Sequence, residues 1–338
     1  MTRILLLHHV GGAFGYISDG YINAFKAAGC EVQRWDGGYS SWKDFNPDLY
    51  IGCSGHQQNI PDKSSRGKCK VVIHVNPYCD INIEPSINEN PKIIAWVNSQ
   101  QPDAVFGYGH ETDVKYWRFW QEKSNIEWIP MPTGVDATIF KPNFNNDKQY
   151  DMVFIGGRWS YKAQNLDKYI LPILQSTRIT TSLGGWGGWP NDLPITKNYG
   201  VINSGDVQAA IQNAKIGPCV SEPHTTKYGI DLPERIFKVA FCGTLVIHDN
   251  VVGLRKYMHD VLVAENPEQF HDLIYRFANK SMDNLRLKIA RSQALQVAET
   301  HTYFSRMLTM CKVLKLKNAE ISLTKAKNNC VDRVKCLL

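Results

Sequence analysis

Two stretches of this chain open in the same way, and that repetition constrains the fold more than any other feature. Residues 4–8 form a short apolar run, residues 10–15 a glycine turn (Val-Gly-Gly-Ala-Phe-Gly), and residues 18–28 a helical stretch with Ile22, Phe25 and Ala28 on one face. Gly29 stands where a helix-ending glycine belongs, and residues 31–35 then alternate as a second strand. Strand, glycine turn, helix and strand in about 35 residues make a βαβ unit, which implies a parallel sheet with right-handed crossovers. Further strands are expected at residues 49–53, 71–75, 93–97, 104–108 and 126–129. A polar, turn-rich stretch at residues 143–150 then reads as a linker.

The pattern restarts beyond the linker. Residues 151–155 are an expected strand, Gly156-Gly157-Arg158 a turn, and residues 165–174 a helix. Strands at 178–183, 216–220 and 244–248 follow, with helices at 206–214, 233–241, 267–279 and 282–300. The expectation is an α/β chain of two Rossmann-like domains, residues 1–142 and 143–310, followed by a basic helix or tail at 311–338. A length of 338 residues with 43% hydrophobic and 21% charged residues suits two packed cores.

No apolar run approaches the roughly 18–20 residues needed to span a bilayer, and the amino-terminal run is too short for a signal core. A cytoplasmic protein is therefore expected. The nine cysteines show no CxxC pair and no framework spacing, which points to reduced thiols. Much of the net charge of +6 comes from the tail, where Lys312, Lys315, Lys317, Lys325, Lys327, Arg333 and Lys335 face only Glu320 and Asp332. Such a tail suits an anionic surface or nucleic acid, and equally a solvated helix face.

In open parallel sheets, ligands bind beyond the carboxyl ends of strands, where glycine admits close approach and helix N-termini present N–H groups. Gly12 after the first strand and Gly157 after the first strand of the second half hold that position. Neither half carries a full GxGxxG with a ribose-binding acid, which disfavours a nicotinamide dehydrogenase, and no GxxxxGK[ST] appears. Arg158 and Lys162 place two cations just after a strand, where a departing diphosphate would need donors. Two solvated surface cations are the alternative.

Several segments, arriving in order over residues 130–310, carry a family resemblance. Pro132-Thr-Gly-Val-Asp136-Ala-Thr-Ile-Phe140-Lys-Pro142 resembles the P-x-G-V-D-x-x-x-F-x-P signature of retaining GT-B glycosyltransferases. Arg158 and Lys162 match the Arg and Lys that follow the next glycine-ended strand in that family. The segment from Leu232 to Asn250 is similar to the donor-site helix and strand of the CgeB-like spore-maturation branch, as are Gly184-Gly-Trp186 and His301-Thr-Tyr-x-x-Arg306. Over residues 1–129 the likeness rests on architecture alone.

The resemblance implies two domains facing across a cleft, with the acceptor on the first and a nucleoside-diphosphate sugar on the second. It further implies transfer with retention, and without a metal or other cofactor. Gly12, Gly157, Arg158, Lys162, Trp186, Arg235, Lys238 and Asn250 are the implied donor contacts. Lys238 stands where the family usually has a ribose-binding glutamate. Glu234, one helical turn earlier, lies on the same face and can take that role. Closure of the domains would exclude water.

His110, following an expected strand, is the preferred polar group near the anomeric carbon, so His110 and Glu234 are the catalytic candidates; a capping or surface histidine is the alternative. His56 and His74 are weaker candidates, and His301 reads as a clamp on the last helix. Trp186 and Trp189 suit either sugar or base stacking or core packing, whereas residues 116–120 read as packing aromatics. No Asp-x-Asp of a metal-dependent transferase is present. Three functions follow: sugar transfer to a glycan, lipid-linked or protein acceptor; virus-type transfer to hydroxymethylated DNA bases; and non-catalytic nucleotide-sugar binding.

Overall fold

The computed structural model of the chain describes residues 1–7, 12–75, 91–109, 120, 122, 124–229 and 231–338. The chain forms two compact units, one of Met1–Thr138 with Tyr303–Asn329, the other of Ile139–Thr302 with Cys330–Leu338. Each is built on a six-stranded sheet, and every pairing is parallel.

In the first unit the strands are β1 (Arg3–Leu6), β2 (Glu31–Arg34), β3 (Leu49–Cys53), β4 (Lys70–His74), β5 (Ala104–Gly107) and β6 (Glu127–Pro130). Their spatial order is β2-β1-β3-β4-β5-β6. The second unit has β7 (Tyr150–Ile155), β8 (Thr181–Gly184), β9 (Lys197–Gly200), β10 (Ala214–Cys219), β11 (Leu245–Asp249) and β12 (Leu262–Ala264). Here the order is β12-β11-β10-β7-β8-β9, the doubly wound arrangement in which the chain reverses direction across the sheet between β7 and β10.

The strands form because apolar runs are covered on both faces. All five residues of β3 and of β11 are buried, as expected for strands flanked by helices above and below. In the second unit, helix Pro267–Ala278 packs on β10, β11 and β12, bringing Phe270 and Ile274 against Phe154, Ile216 and Ile247. Gly29 ends the first helix as expected, with its N–H bonded to Lys26 O at 2.9 Å and that of Cys30 to Phe25 O at 3.0 Å.

One expected strand is wrong. Residues 93–97 lie in a helix, Pro91–Gln100. Pro91 at its first position is preorganised for a helix start, and a short apolar run carries too little periodicity to separate strand from helix. The sequence reading also passed over β9, β12 and the helices Tyr39–Phe45 and Pro223–Tyr228.

The cysteines other than Cys79, which lies outside the described residues, are free thiols, all buried except Cys336. No helix among the described residues is long and apolar enough to cross a membrane. The basic carboxyl-terminal segment is the helix Lys317–Lys335. It buries Ala319, Leu323, Cys330 and Val334 along one stripe and leaves Lys317, Lys325, Arg333 and Lys335 exposed.

Two of the signature segments interlock inside the first unit. Tyr303 N–H donates to Val135 O at 3.0 Å, and the buried Arg306 donates to Thr133 O from Nε (3.2 Å) and Nη2 (2.9 Å). Asp136 accepts from Asn23 Nδ2 at 2.8 Å and caps Thr138 through its N–H (2.9 Å) and hydroxyl (2.6 Å). The Tyr303 ring meets Tyr21 edge-on at 5.3 Å. Thus the chain that leaves this unit and the chain that re-enters it are bonded to each other. Arg306→Met should remove both bonds to Thr133 O and destabilise the protein by about 1–3 kcal/mol in urea unfolding.

Candidate functional site

A cluster of charged residues lies in the second unit, at the point where its sheet order reverses. Gly156 and Gly157 follow β7, and Arg235, the first residue of helix Arg235–Phe241, lies against Gly156. Its Nε donates to Ile155 O at 2.7 Å, and its guanidinium stands 4.4 Å from the Phe154 ring centroid. A Cβ on Gly156 would come within 2.5 Å of Arg235 Nη2, and one on Gly157 within 2.1 Å of the Trp159 ring. Only glycine allows both approaches. Arg235 Nη1 is buried with no hydrogen-bond partner among the described residues. Burial lowers the pKa of this guanidinium, while Cys219 and Glu222 pull it the other way.

Lys162, at the end of the 3-10 turn Ser160–Lys162, is the second cation. Burial, followed by the charge of Arg235, brings its pKa down to about 8, against the pull of Glu222 and Asp231. Its Nζ lies 5.2 Å from the Trp159 ring centroid. Two cations and two carboxylates thus share one place, and the ammonium titrates near neutrality because its surroundings are crowded and partly dry.

A second layer holds this cluster. Tyr161 Oη accepts from His224 N–H at 2.9 Å and lies 3.2 Å from His224 Nδ1, with the two rings stacked at 5.9 Å. His224 Nε2 is 3.8 Å from Asp231 and its Nδ1 3.9 Å from Glu222. Asn165 Nδ2 donates to Ser221 O (2.9 Å) and Thr226 Oγ1 (3.2 Å). The buried Asp249 accepts from Ser221 N–H and Thr226 Oγ1, both at 3.1 Å, and pairs with the buried His248 at 2.7 Å. These bonds fix residues 221–226 beside the glycine corner. Sequence reasoning passed over Glu222, His224 and Asp231, although Ser221-Glu-Pro-His224 directly follows an expected strand, the position where such residues belong.

The other sequence candidates have these surroundings. Arg158 forms a two-pronged ion pair with Asp167 (Nε 2.5 Å, Nη2 2.7 Å), and its Nη1 donates to Gly188 O at 3.1 Å. The hydrogen bond to Asp167 raises the pKa of Arg158. Glu234 pairs with Lys238 at 2.5 Å, with Lys238 Nζ 5.3 Å from the Phe140 ring. Asn250 donates to Glu265 at 2.6 Å. Trp186 is 58% exposed beside the glycine loop, whereas Trp189 is packed edge-on against Phe154 and donates from Nε1 to Gly156 O at 2.9 Å.

Gly12 begins helix Gly12–Ala27 in the first unit. His110 lies outside the described residues, as do Gly11 and residues 116–119. His56 is exposed, and His74 is stacked on Phe106 in the core. His301 bonds Tyr257 O through Nε2 at 2.5 Å and stacks on Phe237 at 4.7 Å, as a helix clamp would. Among the described residues no group of three or more His, Cys, Asp or Glu is arranged to hold a metal ion.

Two parallel-sheet α/β units with these strand orders define the GT-B fold of glycosyltransferases. Residues 149–312 match the family described as glycosyl transferase-like. No curated protein sequence matches the chain significantly. Among solved structures, sucrose-phosphate synthase from Thermosynechococcus elongatus is similar with a TM-score of 0.63 at 12% identity, over 94% of this chain and 100% of that one. Anabaena HepE in complex with UDP-glucose gives 0.60 at 12% identity, over 94% and 100%. An alpha-glucosyltransferase in complex with UDP-glucose and DNA containing an abasic site gives 0.62 at 10% identity, over 93% and 98%.

The Arg158–Asp167 pair carries its own expectation. A double-mutant cycle of Arg158→Ala and Asp167→Ala in thermal unfolding should return a coupling of about 1 kcal/mol or less, since both side chains are part-exposed.

Proposed function

We propose that the protein is a glycosyltransferase that moves a sugar from a uridine-diphosphate sugar to an acceptor hydroxyl. The observation that carries this reading is the buried Nη1 of Arg235, unpartnered among the described residues, in a guanidinium whose Nη2 lies over Gly156, with Lys162 alongside, at the reversal point of a doubly wound sheet. A crowded pair of cations with glycine backbone beneath is suited to a diphosphate. Solved structures of similar fold contain UDP-glucose, which supports this choice of donor.

In the reaction, the acceptor oxygen bonds to the anomeric carbon as the bond from that carbon to the diphosphate oxygen breaks. The electron pair leaves on the diphosphate, and the hydroxyl proton passes to a diphosphate oxygen, which fits retention because entry and departure share one face. Lys162 and Arg235 stabilise the charge that develops on the leaving group, a task a bound metal would otherwise perform. In this scheme, Gly156 and Gly157 admit the phosphates, and the network from Asn165 to Asp249 keeps Glu222 and His224 in place. Arg158, engaged by Asp167, is assigned to holding the glycine loop.

A DNA acceptor is the second reading, favoured by the likeness to the alpha-glucosyltransferase whose complex contains DNA. Sugar transfer from UDP-glucose onto duplexes with hydroxymethylated bases tests it directly, and transfer only to glycan acceptors would reject it.

Arg235→Met and Lys162→Ala should each lower kcat by roughly 100-fold or more and weaken UDP binding. Turnover and UDP affinity equal to wild type in both variants would remove the diphosphate assignment. A pH dependence follows from Lys162. Its ammonium is charged below about 8 and loses its proton above, so UDP affinity in calorimetry should fall as pH rises from 7 to 9. Lys162→Arg should flatten that fall, because a guanidinium keeps its charge throughout this range.

A further inference from the structure

A cationic cavity unrelated to the proposed donor site lies in the first unit. It has a volume of about 140 Å³ and is lined by Lys63, Arg66, Gly67, Lys68, Cys69, Lys70 and Asp103. Lys70 opens β4 and Asp103 immediately precedes β5, so the cavity sits at the strand-start edge of the sheet. Ligands of open parallel sheets ordinarily occupy the opposite edge.

Its charge is unbalanced. Four cations face one carboxylate, and Asp103 is already engaged by Lys70 Nζ and Val71 N–H, both at 2.9 Å. Arg66 is only 7% exposed, and it donates to neutral carbonyls: Nε to Pro61 O (2.7 Å), Nη2 to Gln100 O (2.6 Å) and Nη1 to Gln101 O (3.5 Å). Those bonds hold the guanidinium rigidly, and the carboxylates that act on its charge are Asp103, already engaged by Lys70, and Asp62. Cys69 adds no negative charge at neutral pH, because burial pushes its thiol up to about 12. Asp62, just outside the lining, is an exposed carboxylate that reduces the excess without closing it.

The backbone adds a second element. Arg66 is right-handed (φ −85°, ψ −8°) and Gly67 left-handed (φ +60°). Consecutive right- and left-handed residues turn successive N–H groups toward one side, which makes an anion-binding concavity. A Cβ on Gly67 would meet nothing within 4 Å, so the corner opens to solvent. At ~30 Å³ per water, the cavity has room for about four waters, enough for a four-oxygen anion.

We propose that this cavity is a phosphate-binding site, with Lys63, Arg66 and Lys68 as the charged contacts. The phosphate is either a free ion or a phosphodiester of a DNA backbone, and the reading stands independently of the donor assignment. The full-length protein and a Lys63→Ala/Lys68→Ala double variant, both lysines being exposed, are compared in two ways. Inorganic phosphate is titrated by calorimetry and thermal shift against chloride of equal ionic strength. A labelled 20-base-pair duplex is titrated by anisotropy over a salt series.

At least tenfold weaker phosphate binding in the double variant supports the site with a free ion as its ligand. A drop of about 1–2 in the slope of log affinity against log salt supports it with a DNA phosphodiester. Phosphate binding and salt slope both equal to wild type in the double variant would overturn it.

Discussion

The second unit turns on a guanidinium laid against the end of its central strand. Arg235 bonds Ile155 O and covers Phe154, which is possible only because Gly156 has no side chain. The bond fixes the start of helix Arg235–Phe241 on β7. It also holds a positive charge where burial opposes it and leaves one Nη1 unanswered. A buried donor without a partner costs roughly 1–3 kcal/mol, so this corner sustains a local penalty that an anionic ligand would relieve. The shifted Lys162 has the same origin, since burial disfavours its charge and the neighbouring Arg235 adds to that.

Around that corner, neutral and acidic groups organise the approach. Asp249 joins residues 221 and 226, and Tyr161 bridges to His224, so residues 221–226 are held by side chains from two segments far apart in sequence. Arg158 illustrates the opposite outcome for a residue of the same type nearby. Its fork meets Asp167 on both prongs, and a cation so satisfied has less to offer a phosphate than one whose donors are buried and open.

The first unit is governed by a different constraint, closure of the chain on itself. Arg306 and Tyr303 bond the segment that ends in Asp136, so the carboxyl-terminal helices are fastened to the unit with which the chain begins. Polar side chains are needed there, because backbone carbonyls such as Thr133 O are buried and need donors.

The sequence by itself determined the two parallel sheets, the glycine turns after β1 and β7, and the placing of cations near the second turn. Those features depend on local periodicity, on glycine, and on strand–turn–helix order, all of which are written in neighbouring residues. It did not decide the helix at Pro91–Gln100, where five apolar residues fit either period, nor β9 and β12, which are short and partly exposed. Only the tertiary structure decided which cation would be neutralised and which left open. Asp167 reaches Arg158 from one helix, Glu234 and Lys238 satisfy each other along another, and Arg235 crosses 80 residues of chain to reach Ile155. Charge state and availability are properties of distance and burial, and neither exists until the chain is folded.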